Sequence, residues 1–113
     1  MTSLMSIMSR FMRMIVFFDL PVAEKEERRA ATKFRNFLIK DGFQMVQFSV
    51  YVRVCNGYDS VATHEKRIES NLPPNGSIRL LIITEKQYES MRILLGDFKQ
   101  SDVPVAFEQL TLL

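Results

Sequence analysis

The stretch MIVFFDLP, Met14–Pro21, carries the one carboxylate whose setting suggests chemistry, Asp19. Five apolar residues rich in Ile, Val and Phe precede it and read as a buried strand. Pro21 bars continuation of a sheet ladder two residues later. Asp19 therefore stands where the chain leaves the sheet, and rigid scaffolds display reactive groups at such places. Position alone also fits a turn former or a cap for the next helix, so both readings stand open. Other chemistry is sparse. The chain has no phosphate-binding glycine loop, no CxxC and no nucleophile elbow. Its one histidine, His64, has no partner at metal-ligand spacing and reads as a partly exposed structural residue. Cys55 is the sole cysteine and reads as strand packing, so no intramolecular disulfide can form.

The elements that position Asp19 follow in order. After Pro21 a helix is expected through about Lys40, stopped by Asp41-Gly42. Ala30, Ala31, Phe34, Phe37 and Leu38 form its apolar arc. Lys25, Arg28, Arg29, Lys33, Arg35 and Lys40 spread over the rest, and Glu24, Glu26 and Glu27 favour its N-terminal end. Glu24 and Arg28 have ion-pair spacing, whereas Arg29 and Lys33 are like charges four apart. The strip reads either as a solvated face or as a surface relieved by a phosphate backbone.

In FQMVQFSVYVRVC, Val50, Val52 and Val54 alternate with Tyr51, Arg53 and Cys55 as a strand. Gln44–Val46 is a shorter partner, with Gln47–Ser49 as the break between them. A second helix, capped by Asp59 or Ser60, is expected through about Asn71, with Val61, Ile68 and Leu72 inward. Pro73–Gly76 is a loop and Ser77–Thr84 another buried strand. Glu85–Leu95 has helical spacing, with Tyr88, Met91 and Leu95 on one face, and Val103–Leu112 looks like a last strand. The first six elements follow the ferredoxin-like βαββαβ order, an α+β fold with an additional C-terminal strand. Two helices cover one sheet face only, and burial of the other against a second copy predicts a homodimer.

A length of 113 residues fits one domain, and 47% hydrophobic with 25% charged residues is ordinary for a globular chain. The net charge of +2 and pI near 8.8 are too mild to identify a polyanion partner. No apolar run is long enough for a membrane span, and a cytoplasmic protein is expected. Residues 1–11 are Met-rich and read as an extension that need not be ordered, with Met5, Met8, Met12 or Met14 as alternative starts. Residues 12–113 form the domain.

The strand MIVFFDLP, the basic helix, the segment GFQMVQFSVYVRV with its Gln-x-Ser-Val core and the strand IRLLIIT together resemble the CRISPR-associated protein two family. Phe18-Asp19 stands where that family usually has Tyr-Asp, so the carboxylate is kept and the hydroxyl lost. The resemblance implies a ferredoxin-like homodimer whose last strand adds to the partner's sheet. It implies endonuclease activity on RNA or double-stranded DNA, dependent on Mg2+ or Mn2+, with Asp19 as metal ligand and catalytic residue at the dimer interface. It also implies spacer acquisition, in which the dimer bridges two CRISPR integrase dimers on duplex DNA. Arg28, Arg29 and Lys33 are candidate backbone contacts. The alternatives are a non-catalytic DNA-bridging scaffold and a small-molecule-binding regulatory domain, because the fold alone decides none of these.

Overall fold

The computed structural model describes residues 10–105. Strand β1 is Phe11–Asp19, so it begins three residues earlier than the apolar run suggested. Helix α1 (Lys25–Lys40), strands β2 (Gln44–Gln47) and β3 (Val50–Asn56), helix α2 (Tyr58–Glu69) and strand β4 (Ser77–Thr84) follow. A short helix α3 (Glu85–Glu89) and one turn of 3-10 helix (Gln100–Asp102) complete the described elements. The sheet is antiparallel in the order β2-β3-β1-β4, as the ferredoxin-like arrangement requires, with β1 in its centre.

Alternation along β1 sends Met12, Met14, Val16 and Phe18 to the helix side. There they pack with Phe34 and Leu38 of α1, Val61 and Ile68 of α2, and Tyr51 and Cys55 of β3. Phe18 and Phe34 meet edge-on, with centroids 5.4 Å apart. Helix α1 starts at Glu24, whose backbone N–H donates to Glu27 Oε1 at 2.8 Å. It ends at Asp41, followed by Gly42 at φ +92°. Asp41 also ties the two helices together. His64 Nδ1 lies 2.7 Å from its Oδ2 and Arg67 donates to its Oδ1 at 2.9 Å. His64 is thus structural as expected, but it is buried rather than partly exposed.

Other boundaries depart from expectation as well, beginning with α1, which starts at Lys25 rather than directly after Pro21. Helix α2 is preceded by Gly57 rather than capped by Asp59 or Ser60. It closes at Glu69 because Ser70 Oγ and Asn71 Nδ2 donate back to the carbonyls of Lys66 and Arg67. That leaves Leu72 outside the core, 52% exposed. Helix α3 runs only to Glu89, not Leu95, and Ser90 Oγ donates to the Gln87 carbonyl at 2.6 Å. Beyond it Leu94 and Leu95 are almost fully exposed. Of the expected last strand, Val103–Val105 are not in a strand and the remainder lies outside the described residues.

The sheet face away from the two helices was expected to lack any cover from the chain itself. Part of it is covered by α3 and the segment 99–105. Ile15 and Val52 pack there against Tyr88. The fastening is Arg13, a fully buried cation in the middle of β1. Its Nε and NH2 pair with Glu85 Oε2 and Oε1 at 2.5 and 2.8 Å. Its NH1 and NH2 donate to the carbonyls of Ser101 and Val103 at 2.7 and 3.1 Å. The guanidinium lies 4.3 Å from the Tyr88 ring centroid, and Tyr88 O–H donates to Asp102 Oδ1 at 3.0 Å. The toe of this face, around Phe17 and Asp19, stays open.

Candidate functional site

Asp19 ends β1 opposite Ser77 of β4, one step beyond the Phe18–Ile78 pair. Phe17, two residues earlier, lies opposite both Val50 of β3 and Arg79 of β4. Phe17, Asp19, Ser77 and Arg79 therefore share the open face, where cross-strand side chains stand within reach of one another. The β2–β3 hairpin closes over the same end. Its turn holds Ser49 at φ +66°, and the Ser49 carbonyl accepts from Phe18 N–H at 3.1 Å. Phe48 at the tip is 83% exposed. Together Phe17, Asp19, Phe48, Ser49, Ser77 and Arg79 line a shallow cleft of about 310 Å3.

Gly76 fixes this end of the strand. At φ +112° it sits where a Cβ would lie 2.8 Å from the Asp19 carbonyl oxygen and 2.7 Å from Leu20 Cδ2. Only glycine lets the Pro73–Gly76 loop come so close to the residue that carries the carboxylate.

Asp19 is exposed, and its carboxylate forms no ion pair or hydrogen bond among the described residues. It does not cap α1, which begins five residues later at its own Glu24–Glu27 bond. Of the two readings left open by position, the cap is thus excluded. No group of three His, Cys, Asp or Glu side chains gathers among the described residues, so one chain supplies a single carboxylate here. Cys55 is no rival nucleophile. It is buried, and burial pushes its thiol above the ordinary value of 9.0.

The basic strip lies elsewhere. Arg29 and Lys33 are exposed on the outer side of α1, lining a shallow groove with Lys25, Arg28, Thr32 and Asn36. Arg28 does not pair with Glu24. Its NH1 donates to the carbonyls of Val22 and Ala23 at 3.1 and 2.8 Å, bracing the loop that leaves β1. The sheet separates this strip from Asp19, and the structure does not bring the two together. Sequence reasoning passed over Phe48, Ser49, Ser77 and Arg79. Ser49 stood in the quoted Gln-x-Ser-Val core, and Ser77 and Arg79 fall on one face of a period-2 strand.

Comparison with known proteins gives this arrangement a family. The family model described as "CRISPR associated protein Cas2" matches residues 12–91, from the second residue of β1 to just past α3. The chain belongs to the Cas2 family. It is 56% identical over 85 residues to the CRISPR-associated endoribonuclease Cas2 of Acidovorax ebreus (strain TPSY), covering 75% of this chain and 83% of that one. The corresponding Cas2 protein of Ligilactobacillus salivarius (strain UCC118) is 55% identical over 85 residues, 75% of this chain and 84% of the relative. That of Campylobacter jejuni (strain ATCC 700819 / NCTC 11168) is 49% identical over 87 residues, 77% of this chain and 61% of the relative. The Cas2 match takes in Asp19, the hairpin tip and Arg79, and stops before the segment held by Arg13. No helix among the described residues is long and apolar enough to cross a membrane.

Proposed function

We propose that this Cas2-family chain hydrolyses phosphodiesters as a metal-dependent endonuclease, with Asp19 as the catalytic carboxylate and metal ligand. One observation carries the reading: an exposed carboxylate, free of ion pairs among the described residues, fixed at the end of a central strand. The names of the relatives, all endoribonucleases, supply the reaction class. A single carboxylate suits Mg2+ or Mn2+, ions that keep several waters and need one or two protein carboxylates beside the substrate phosphate. The donor chemistry fits, and a second copy of the chain, meeting the first through the open face in a homodimer, would contribute a second Asp19. When bound, the ion supplies a lowered pKa for its water and polarises the phosphoryl oxygen. Asp19 would hold that ion at the strand end against which Gly76 packs, and Arg79 would offer a cation to the phosphate.

The test is cleavage of single-stranded RNA and duplex DNA by wild type and Asp19→Ala, purified side by side with and without a chelator. Loss of at least about 100-fold in the variant is expected. Equal cleavage by both proteins rejects the site. Sedimentation of a stable monomer at micromolar concentration would sink the dimer.

A second reading is supported by the position of Arg29 and Lys33 on the far side of α1, away from Asp19. In this reading the homodimer grips duplex DNA and bridges two CRISPR integrase dimers during spacer acquisition, whether or not it cuts. Binding through phosphates is sequence-tolerant and falls steeply with salt. Duplex affinity that stays flat from low to physiological salt would reject it. Spacer acquisition that survives Asp19→Ala would make bridging the biological role.

A further inference from the structure

Apart from Arg13, which Glu85 neutralises, the four strands turn two ionisable side chains to the face away from the helices, Asp19 of β1 and Arg79 of β4. They carry opposite charges and both are exposed. Neither enters an ion pair among the described residues. Register sets them on a diagonal, with Asp19 opposite Ser77 and Arg79 opposite Phe17. A long side chain can span such a diagonal, yet within one chain the two groups stay apart. Around them Phe17, Phe48 and Leu81 are exposed.

An apolar patch that holds one anion and one cation is complementary to a copy of itself. A two-fold axis lying in the interface and passing between the two side chains carries each Asp19 onto the partner's Arg79. It carries each Arg79 onto the partner's Asp19 by the same rotation. Setting Asp19 against Asp19 instead would join two carboxylates with no cation between them, and like charges so placed repel. Covering the face with both charges unpaired is also costly, because each loses water and gains no partner.

We propose that Asp19 of one subunit and the partner's Arg79 form a reciprocal ion pair across the homodimer, so that each candidate site takes its carboxylate from one chain and its cation from the other. The proposal rests on the homodimer of the nuclease reading and adds to it a residue that the partner contributes. Arg79 is a positioning residue, holding the carboxylate of the other chain near the two-fold axis. A single chain carries both groups and joins neither, so the site is complete only in the dimer.

The test follows dimerisation of the full chain by sedimentation in the presence of EDTA. Asp19→Lys and Arg79→Glu are each expected to weaken the dimer about 100-fold, because each sets two like-charged contacts across the axis. Mixed one to one, the two variants restore a dimer close to wild type. The introduced lysine then faces the introduced glutamate, and the native Arg79 of one chain faces the native Asp19 of the other. A pair formed inside each chain predicts no rescue, because mixing leaves both chains with their own like charges. A mixture as weak as the single variants therefore overturns the proposal. Should either reversal fail to fold, Asp19→Asn and Arg79→Gln replace it in a double-mutant cycle, with a coupling of about tenfold in dimer affinity expected. No coupling overturns the proposal. A wild-type chain that sediments as a monomer removes the homodimer and the pair together. If Asp19→Ala cleaves like wild type while mixing restores the dimer, the nuclease reading fails and the pair stands. If Asp19→Ala is inactive and the mixture stays dissociated, the pair alone fails.

Discussion

On the helix side of the sheet, Met12, Met14, Val16 and Phe18 pack in one cluster of apolar and aromatic side chains drawn from both helices, β3 and β4. The same strand turns Arg13, Ile15, Phe17 and Asp19 to the other side, where the sequence runs from a buried cation to an exposed anion within seven residues. One face is a sealed core. The other is graded, fastened at the Arg13 end by α3 and segment 99–105 and open at the Asp19 end. A strand buried on one side gains its stability there, which leaves the opposite side free to carry polar and reactive groups that a core could not tolerate.

Four substitutions and one titration would break or sharpen that contrast. Phe34→Ala opens a cavity in the sealed face and is expected to cost about 4 kcal/mol in urea unfolding. A cost near zero would mean that the helix side is not the main core. On the graded face, Glu85→Ala strands the buried Arg13 charge, with an expected loss of about 3 kcal/mol. Replacing both partners by apolar residues of similar size should recover most of it, because the pair offsets its own desolvation only in part.

Tyr88, on the same fastening, is pushed up to about 12 from its ordinary 10.0, first by burial and then by its bond to Asp102. Its folded value is raised, so its contribution is fully present below pH 10.0 and is lost as pH rises to about 12. The loss is on the order of 2–3 kcal/mol at most. Unfolding midpoints at neutral and alkaline pH, compared with Tyr88→Phe, isolate it. Gly76→Ala strains the loop against the Asp19 carbonyl, with about 1–2 kcal/mol lost and cleavage falling further than stability explains. The smallest effect belongs to Phe17→Ala, at 38% exposure, which should cost under about 1 kcal/mol.

The sealed face was legible in the sequence because its signal is periodicity. The α1 arc led directly to Ala31, Phe34 and Leu38, all buried, with Ala30 and Phe37 half-buried beside them, and Cys55 is buried as strand packing. Periodicity misled where no surface existed to bury a pattern. Tyr88, Met91 and Leu95 have helical spacing, but a helix continued past Glu89 would have faced solvent, and Ser90 ends it. Leu72 failed for a related reason, since side chains at Ser70 and Asn71 close α2 first. In the candidate site, Asp19 was legible as an acid ending an apolar run. Phe48 and Arg79 were not, because they meet Asp19 only through register. The hairpin turn uses a left-handed Ser49 instead of an Asn-Gly pair, so the chain carries no local mark of that register. Arg13 was visible as a charge inside FMRMIVFF, but its partner lies 72 positions away.

The manner in which Arg13 holds segment 99–105 has a consequence for how such a chain can diverge. Two of its contacts are to main-chain oxygens, at Ser101 and Val103, which every amino acid possesses. The path of this segment is therefore set in large part by β1 and α3: half-exposed Val103 can change without losing its bond, whereas buried Ser101 keeps its carbonyl in place only as a small residue.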